Sequence, residues 1–173
     1  MVIWVIGLSG AGKTTVARRV HELWAHAAPN TVLVDGDEIR DIMRENIQPD
    51  SHELSGRRRN AERIFRLCRW LDRQNINVVC SILSIFPDLR EDNRREFSKY
   101  FEVFLDVPMD ELVRRDIKDI YAKALRGERT HVVGVDIPFP RPETADLIID
   151  NSKPGLDVDA VARQILAANG VKL

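Results

Sequence analysis

Little in this 173-residue chain is in excess, and each scarcity excludes a class of protein. It has two cysteines, Cys68 and Cys80, and their separation has no metal-like spacing. Both sit among apolar neighbours and read as reduced core residues. Four histidines, His21, His26, His52 and His131, are spread too widely to form a ligand cluster and read as surface residues. Lys and Arg number 26 against 27 Asp and Glu, and a net charge of −1 gives no general attraction to nucleic acid or to acidic membranes. Aromatics make up 6 %, with none interleaved in the basic run Arg57-Arg58-Arg59, so a nucleic-acid surface is not indicated. No apolar run approaches membrane-spanning length. The chain opens directly in an apolar segment, so no signal peptide is expected, and the cytoplasm is the expected compartment. There is no internal repeat, low-complexity tract or linker. A guanine-reading N-K-x-D element, which a GTPase switch would carry, is also missing.

What is present begins at residue 2. The run Val2-Ile3-Trp4-Val5-Ile6 is followed by Gly7, Leu8, Ser9, Gly10, Ala11, Gly12, Lys13, Thr14 and Thr15. Helical spacing of Val16, Ala17, Val20, Leu23 and Trp24 comes next. Strand, glycine loop and helix in that order make G-x-x-x-x-G-K-[ST] a phosphate-binding loop. Glycines let successive N–H groups turn inward to cradle phosphate oxygens, and the helix aims its positive end at the same anion. Lys13 is placed for the β- and γ-phosphates, and the Thr14 hydroxyl for a Mg²⁺ ion. ATP with Mg²⁺ is therefore the expected ligand pair.

Short apolar runs then alternate with amphipathic stretches, the pattern of an α/β domain with a mainly parallel sheet. Helices are expected over Lys13–Ala28, Glu38–Glu45, Ser55–Gln74 with Ser55 as N-cap, 88–99, Met109–Leu125 and Asp157–Asn169. Strands are expected over Thr31–Val34, Val78–Leu83, Phe101–Val107 and Leu147–Ile149, which with the first run makes five. Residues 127–144, rich in glycine and proline, read as an extended mobile loop. Trp4, Trp24 and Trp70 fit core or sheet–helix packing. The expected architecture is a three-layer P-loop NTPase sandwich: a mainly parallel five-stranded sheet with helices on both faces. It forms one domain over 1–173 with a mobile lid around 114–140.

Ligands in such sheets bind at the carboxyl ends of the strands. That rim collects the phosphate loop, Asp35-Gly36-Asp37 and the residues following the third strand. Phosphoryl transfer needs one carboxylate near the metal and often another to accept the attacking hydroxyl's proton. Asp35 ends its strand and is assigned to the metal with Thr14, and Asp37 to the acceptor's proton. Spacing alone also allows the reverse, and a simple D-G-D helix cap would need only one aspartate. Arg40, Arg57 and Asn60 offer fixed donors for an anionic acceptor. Arg114, Arg115 and Lys118 could close over the triphosphate, with Arg115 against the nucleotide, or could form an outer face paired with Asp110, Asp116 and Asp119.

On these residues the chain resembles the adenylylsulfate (APS) kinases over nearly its whole length. The carriers are GLSGAGKTT at 7–15, DGDEIR at 35–40, SGRRRNAERI at 55–64 and CSILSIF at 80–86. FEVFLDVPMDELVRRDIKDIYAKALRGE at 101–128 and GVDIPF at 134–139 complete the set. The resemblance implies an ATP:Mg²⁺-dependent kinase acting on the 3′-hydroxyl of a small-molecule nucleotide. Asp37 would be the general base, and Arg40, Arg57 and Asn60 would hold the acceptor's phosphate end. Lys118, Tyr121 and residues 127–139 would form the lid. Members are commonly dimers.

The departures fall on one half of the acceptor site. Typical members carry S-F-I-S-P after the third strand and K-x-F-T-G in the lid, and the two phenylalanines sandwich adenine. Here Ile82, followed by Leu83 and Ser84, and Val132 stand at those places, and the lid lysine is Thr130. The usual aspartate before Arg57 is Gly56, and one arginine of N-I-R-R is Glu62. Phosphate handling is kept and purine reading is altered. The family default is APS as acceptor; the alternative is another nucleotide such as cytidine diphosphoramidate, a substrate in capsule modification. A sugar kinase of the same architecture is disfavoured by Arg57 and Asn60, and a non-catalytic nucleotide-binding module would not need Asp37.

Overall fold

The computed structural model describes residues 1–44, 47–116 and 119–173. Five strands form one sheet: β1 (Val2–Ile6), β2 (Thr31–Asp35), β3 (Asn77–Ile82), β4 (Tyr100–Asp106) and β5 (Leu147–Asp150). Their order is β2-β3-β1-β4-β5, and every pairing is parallel. Parallel strands buried on both faces read as unbroken apolar runs, as β1 does. Its side chains alternate between two cores. Ile3 and Val5 pack with α1 (Lys13–Ala27) and α7 (Val158–Ala168) through Val16, Val20, Trp24, Ile165 and Leu166. Val2, Trp4 and Ile6 pack on the other face with Ile64 and Cys68 of α3 (Leu54–Arg73) and with Phe97. Cys68 and Cys80 are free and buried there, and burial pushes the Cys80 thiol well up.

Register brings the rim together. Ile6 is level with Ile82 and Phe104, and Asp35 with Ser81. The phosphate loop, the acidic turn and residues 82–83 therefore leave the sheet at one edge. No helix among the described residues is long and apolar enough to cross a membrane.

Several expected boundaries move for local reasons. The helix expected over Met109–Leu125 is broken into α5 (Met109–Arg115) and α6 (Ile120–Leu125). The Asp116 carboxylate accepts the N–H groups of Ile120 (2.8 Å) and Ala122 (2.7 Å), so it caps a new helix start where periodicity alone would run on. Ser55 is not the cap of α3, which begins a residue earlier after Glu53; its hydroxyl donates to Asp50 instead. The short helix after β2, α2 (Gly36–Ile42), starts two residues before Glu38 because the Asp35 carboxylate caps it through the Asp37 N–H at 2.9 Å. Its expected end, Glu45, lies outside the described residues. The helix expected to Lys99 is α4 (Pro87–Glu96), since Phe97 turns into the core. Trp70 is 60 % exposed, against the expectation of packing.

Residues 127–144 carry little regular structure but are knitted. The Asp136 carboxylate accepts the N–H groups of His131 and Val132, Gly134 N–H donates to the Ile137 carbonyl, and Val133 and Ile137 pack on Ile85.

Candidate active site

A cleft of about 590 Å³ opens at the carboxyl edge of the sheet, between the phosphate loop on one side and the start of α3 with residues 129–133 on the other. Its size suits small-molecule ligands.

On the first side the glycine loop enters α1 through Gly12, whose φ of 93° lies in the left-handed region that favours glycine. Ser9, Gly10, Gly12, Lys13, Thr14 and Thr15 line the cleft. Gly7, Leu8 and Ala11 do not; Ala11 is fully buried and the Leu8 carbonyl accepts the Lys13 ammonium at 2.9 Å. Thr14 Oγ1 donates to Asp35 Oδ2 at 2.8 Å. The sequence pairing of Thr14 with Asp35 is thus a contact, twenty-one residues apart in the chain. Two adjacent oxygens at a phosphate loop fit a hard cation that keeps most of its shell for phosphate and water. No larger group of potential metal-ligating residues occurs among the described residues.

Asp35 spends its other oxygen capping α2, which leaves the capping task of the D-G-D turn complete. Asp37 is not needed for it, and its exposed side chain lines the cleft.

Opposite stand Arg40, His52, Arg57, Asn60, Arg129 and His131. Of the run Arg57-Arg58-Arg59 only the first faces the cleft. Arg58 pairs with Glu62 and Asp88, and Arg59 with Asp50, as a solvated helix end would. Arg57 donates from Nε to the His52 carbonyl at 2.7 Å and from Nη2 to the His131 carbonyl at 2.8 Å. It joins two loops that are 79 residues apart in sequence (52 and 131). Burial, then the neighbouring charges of Arg40 and Arg129, bring its pKa down to about 10. Burial and the same arginines, with Arg57 first among them, also lower that of His52. A crowd of cations that depress one another's protonation is a site short of negative charge. Asn60 is 3 % exposed, lines the cleft, and its Oδ1 has no partner among the described residues. A buried acceptor left so is costly.

The floor is apolar. Ile82, Leu83 and Val132 line it, as the sequence placed them. Ser84 does not: its backbone is left-handed at φ 55° and its hydroxyl accepts from Trp4 Nε1 at 3.3 Å, away from the cleft. Nor does Arg115, whose guanidinium is held by Glu111 (2.6 Å) and the Asn151 carbonyl (2.7 Å). Arg114 is exposed and bound to the same Glu111, whose pKa the two hydrogen-bonded arginines lower to about 2. Neither arginine lines the cleft, and the carboxylate both pair with is Glu111 rather than the expected Asp110, Asp116 or Asp119. Lys118 lies outside the described residues. Sequence reasoning missed His52, Arg129 and His131, taken as surface or not singled out, since nothing local distinguishes a cleft residue from a solvated one. It also missed Asn151, whose Nδ2 donates to the Ala11 carbonyl at 3.0 Å.

Fold and cleft together define a P-loop phosphotransferase, a kinase that takes ATP as donor and an alcohol as acceptor. The family model for adenylylsulphate kinase matches residues 1–150, and the chain belongs to that family. It is 36 % identical over 151 residues to the cytidine diphosphoramidate kinase of Campylobacter jejuni, covering 87 % of this chain and 86 % of that one. It is 32 % identical over 164 residues to the adenylyl-sulfate kinase of Myxococcus xanthus, covering 92 % and 84 %. The solved APS kinase of Mycobacterium tuberculosis, in complex with AMPPNP and APS, superposes with a TM-score of 0.84 at 29 % identity, covering 98 % of this chain and 96 % of that one.

Proposed function

We propose that the protein transfers the γ-phosphoryl group of ATP to the 3′-hydroxyl of a nucleotide whose base is a pyrimidine, with a cytidine diphosphoramidate-like acceptor as the leading substrate. The observation that carries the acceptor is the composition of the cleft wall: cations and the unpartnered Asn60 Oδ1 at the polar end, branched aliphatic Ile82 and Val132 where a purine sandwich would need rings. The likeness to the Campylobacter kinase supports it. APS is the second reading, supported by the family model and by the likeness to the Mycobacterium enzyme.

In this mechanism the loop amides and Lys13 hold the β- and γ-phosphates; Thr14 with Asp35 would hold Mg²⁺, which when bound would supply positive charge to the transferring group. Asp37 accepts the proton of the attacking hydroxyl. Arg40, Arg57 and Arg129 supply the field for the acceptor's phosphates, and Asn60 Oδ1 accepts a donor of the acceptor nucleotide. Arg57 also fixes the loops bearing His52 and His131, so it positions as well as attracts. Residues 127–139 close the acceptor side and exclude water, limiting wasteful hydrolysis.

A coupled ATPase assay comparing kcat/KM for cytidine diphosphoramidate, APS and plain nucleotides tests the assignment. Preference for the cytidine compound is expected. A strong preference for APS would overturn the pyrimidine reading and leave the kinase reading standing.

A further inference from the structure

The carbonyls of the phosphate loop are held from outside it. Tyr121 Oη, on α6, donates to the Ser9 carbonyl at 2.9 Å. Asn151 Nδ2, just past β5, donates to the Ala11 carbonyl at 3.0 Å. Both residues are buried, Tyr121 to 1 % and Asn151 to 8 % exposure. Each contact spans more than a hundred residues of sequence.

A trans peptide unit places the C=O of one residue and the N–H of the next on opposite sides. Fixing the Ser9 carbonyl on the Tyr121 hydroxyl therefore turns the Gly10 N–H away from Tyr121, and fixing the Ala11 carbonyl on Asn151 does the same for the Gly12 N–H. Gly10 and Gly12 line the cleft, as do Ser9 and Tyr121, while Ala11 is buried. Glycine peptide planes rotate easily, so without such ties both amides would have to be oriented at the moment of binding.

We infer that Tyr121 and Asn151 are positioning residues for the triphosphate: they lock the Ser9–Gly10 and Ala11–Gly12 peptide planes so that two amides face the phosphates before ATP arrives. This rests on the reading of the loop as the donor site. Arg115 acts one step further out. Its bond to the Asn151 carbonyl, with Glu111 behind it, fixes the residue that fixes the loop. Preorganised donors stabilise an anion without reorganising when it binds. The arrangement also ties the nucleotide loop to α6, so α6 cannot swing away as part of a lid without releasing the Ser9 carbonyl.

The test uses the full chain and three readouts: the Kd of MgADP by calorimetry, the Kd of inorganic tripolyphosphate by competition, and the KM of whichever acceptor turns over best. Tyr121→Phe removes one oxygen and keeps the ring. It should weaken MgADP and tripolyphosphate by the same factor, about tenfold, and by more than it raises the acceptor KM. Asn151→Ala should do likewise. If Asn151→Ala does not fold, Tyr121→Phe decides alone. Unchanged MgADP affinity in Tyr121→Phe overturns the inference, and so does a loss shared equally with the acceptor KM, which marks general damage. Lys13→Ala separates the two levels: if it too leaves MgADP affinity unchanged, the donor-site reading fails, whereas loss in Lys13→Ala alone removes only the positioning role.

Discussion

The two sides of the cleft are built differently. The donor side is nine consecutive residues, 7–15, closed onto themselves by Lys13 on the Leu8 carbonyl and buttressed from α6 and from Asn151 just past β5. The acceptor side draws Arg40, Arg57, Asn60, Ile82, Arg129 and Val132 from α2, α3, β3 and the 127–139 segment. One side is a local motif with remote supports. The other exists only where separate segments meet, and burial together with neighbouring arginines lowers the pKa values of its Arg57 and His52. A triphosphate is common to very many kinases, so its cradle can be stereotyped. The acceptor distinguishes one kinase from another, and a site assembled from many segments changes one residue at a time.

Substitutions on the two sides should therefore separate in kind. Asp37→Asn should lower kcat by about 10²–10⁴-fold while MgADP still binds, as loss of a general base requires; retained turnover, measured by single-turnover phosphoryl transfer, would return Asp37 to a structural role. Lys13→Ala should lose about 10²–10³-fold in kcat/KM, with ATP affinity falling alongside rate. Next come Ile82→Phe and Val132→Phe, which restore rings at the two floor positions. Each should improve a purine acceptor relative to a pyrimidine one by about 1–3 kcal/mol of stacking, read from the ratio of kcat/KM values, with KM for ATP unchanged. A shift in ATP binding instead would show that the two sides are not independent.

Gly56→Ala tests the assembly of the acceptor side. A Cβ there would lie 2.2 Å from the Asp50 carbonyl oxygen and 2.8 Å from Ser51 Cα, so the 50–52 loop must move. A loss of about 1–3 kcal/mol in unfolding free energy is expected, with a raised acceptor KM because His52 and the Arg40 partner Ser51 move with that loop. The smallest effect concerns pH. Glu111 has its pKa lowered from 4.5 to about 2 by Arg114 and Arg115. Its contribution is present above pH 4.5, where the unfolded carboxylate is already ionised, and is lost as pH falls through that value toward about 2. Glu111→Gln should flatten this part of the melting-temperature profile between pH 5 and 2. An unaltered slope would mean that the bonds of Glu111 to Arg114 and Arg115 contribute nothing measurable.

The parallel five-stranded sheet, the phosphate loop and the Thr14–Asp35 pairing were all legible in sequence, because each is a short-range pattern or a rule about strand ends. What was misread depended on one side chain at a distance. Asp116 starts a new helix where periodicity continues, and the Arg115 guanidinium, expected against the nucleotide, is held by Glu111 and the Asn151 carbonyl. Ser84 sits in a matching motif yet turns to Trp4, and Trp70 is 60 % exposed. Gly56, visible as a departure from the family pattern, receives its reason only from the Asp50 carbonyl pressed against it.

By itself the sequence determined the donor chemistry and the order of layers, since both follow from contiguous residues: glycines that free a loop, and apolar runs whose spacing selects strand or helix. Tertiary structure decided which of many charged residues face the cleft and what holds the loop's carbonyls. Those outcomes depend on contacts between segments 70 or more residues apart, such as Arg57 with His131 and Asn151 with Ala11, and no local pattern encodes them.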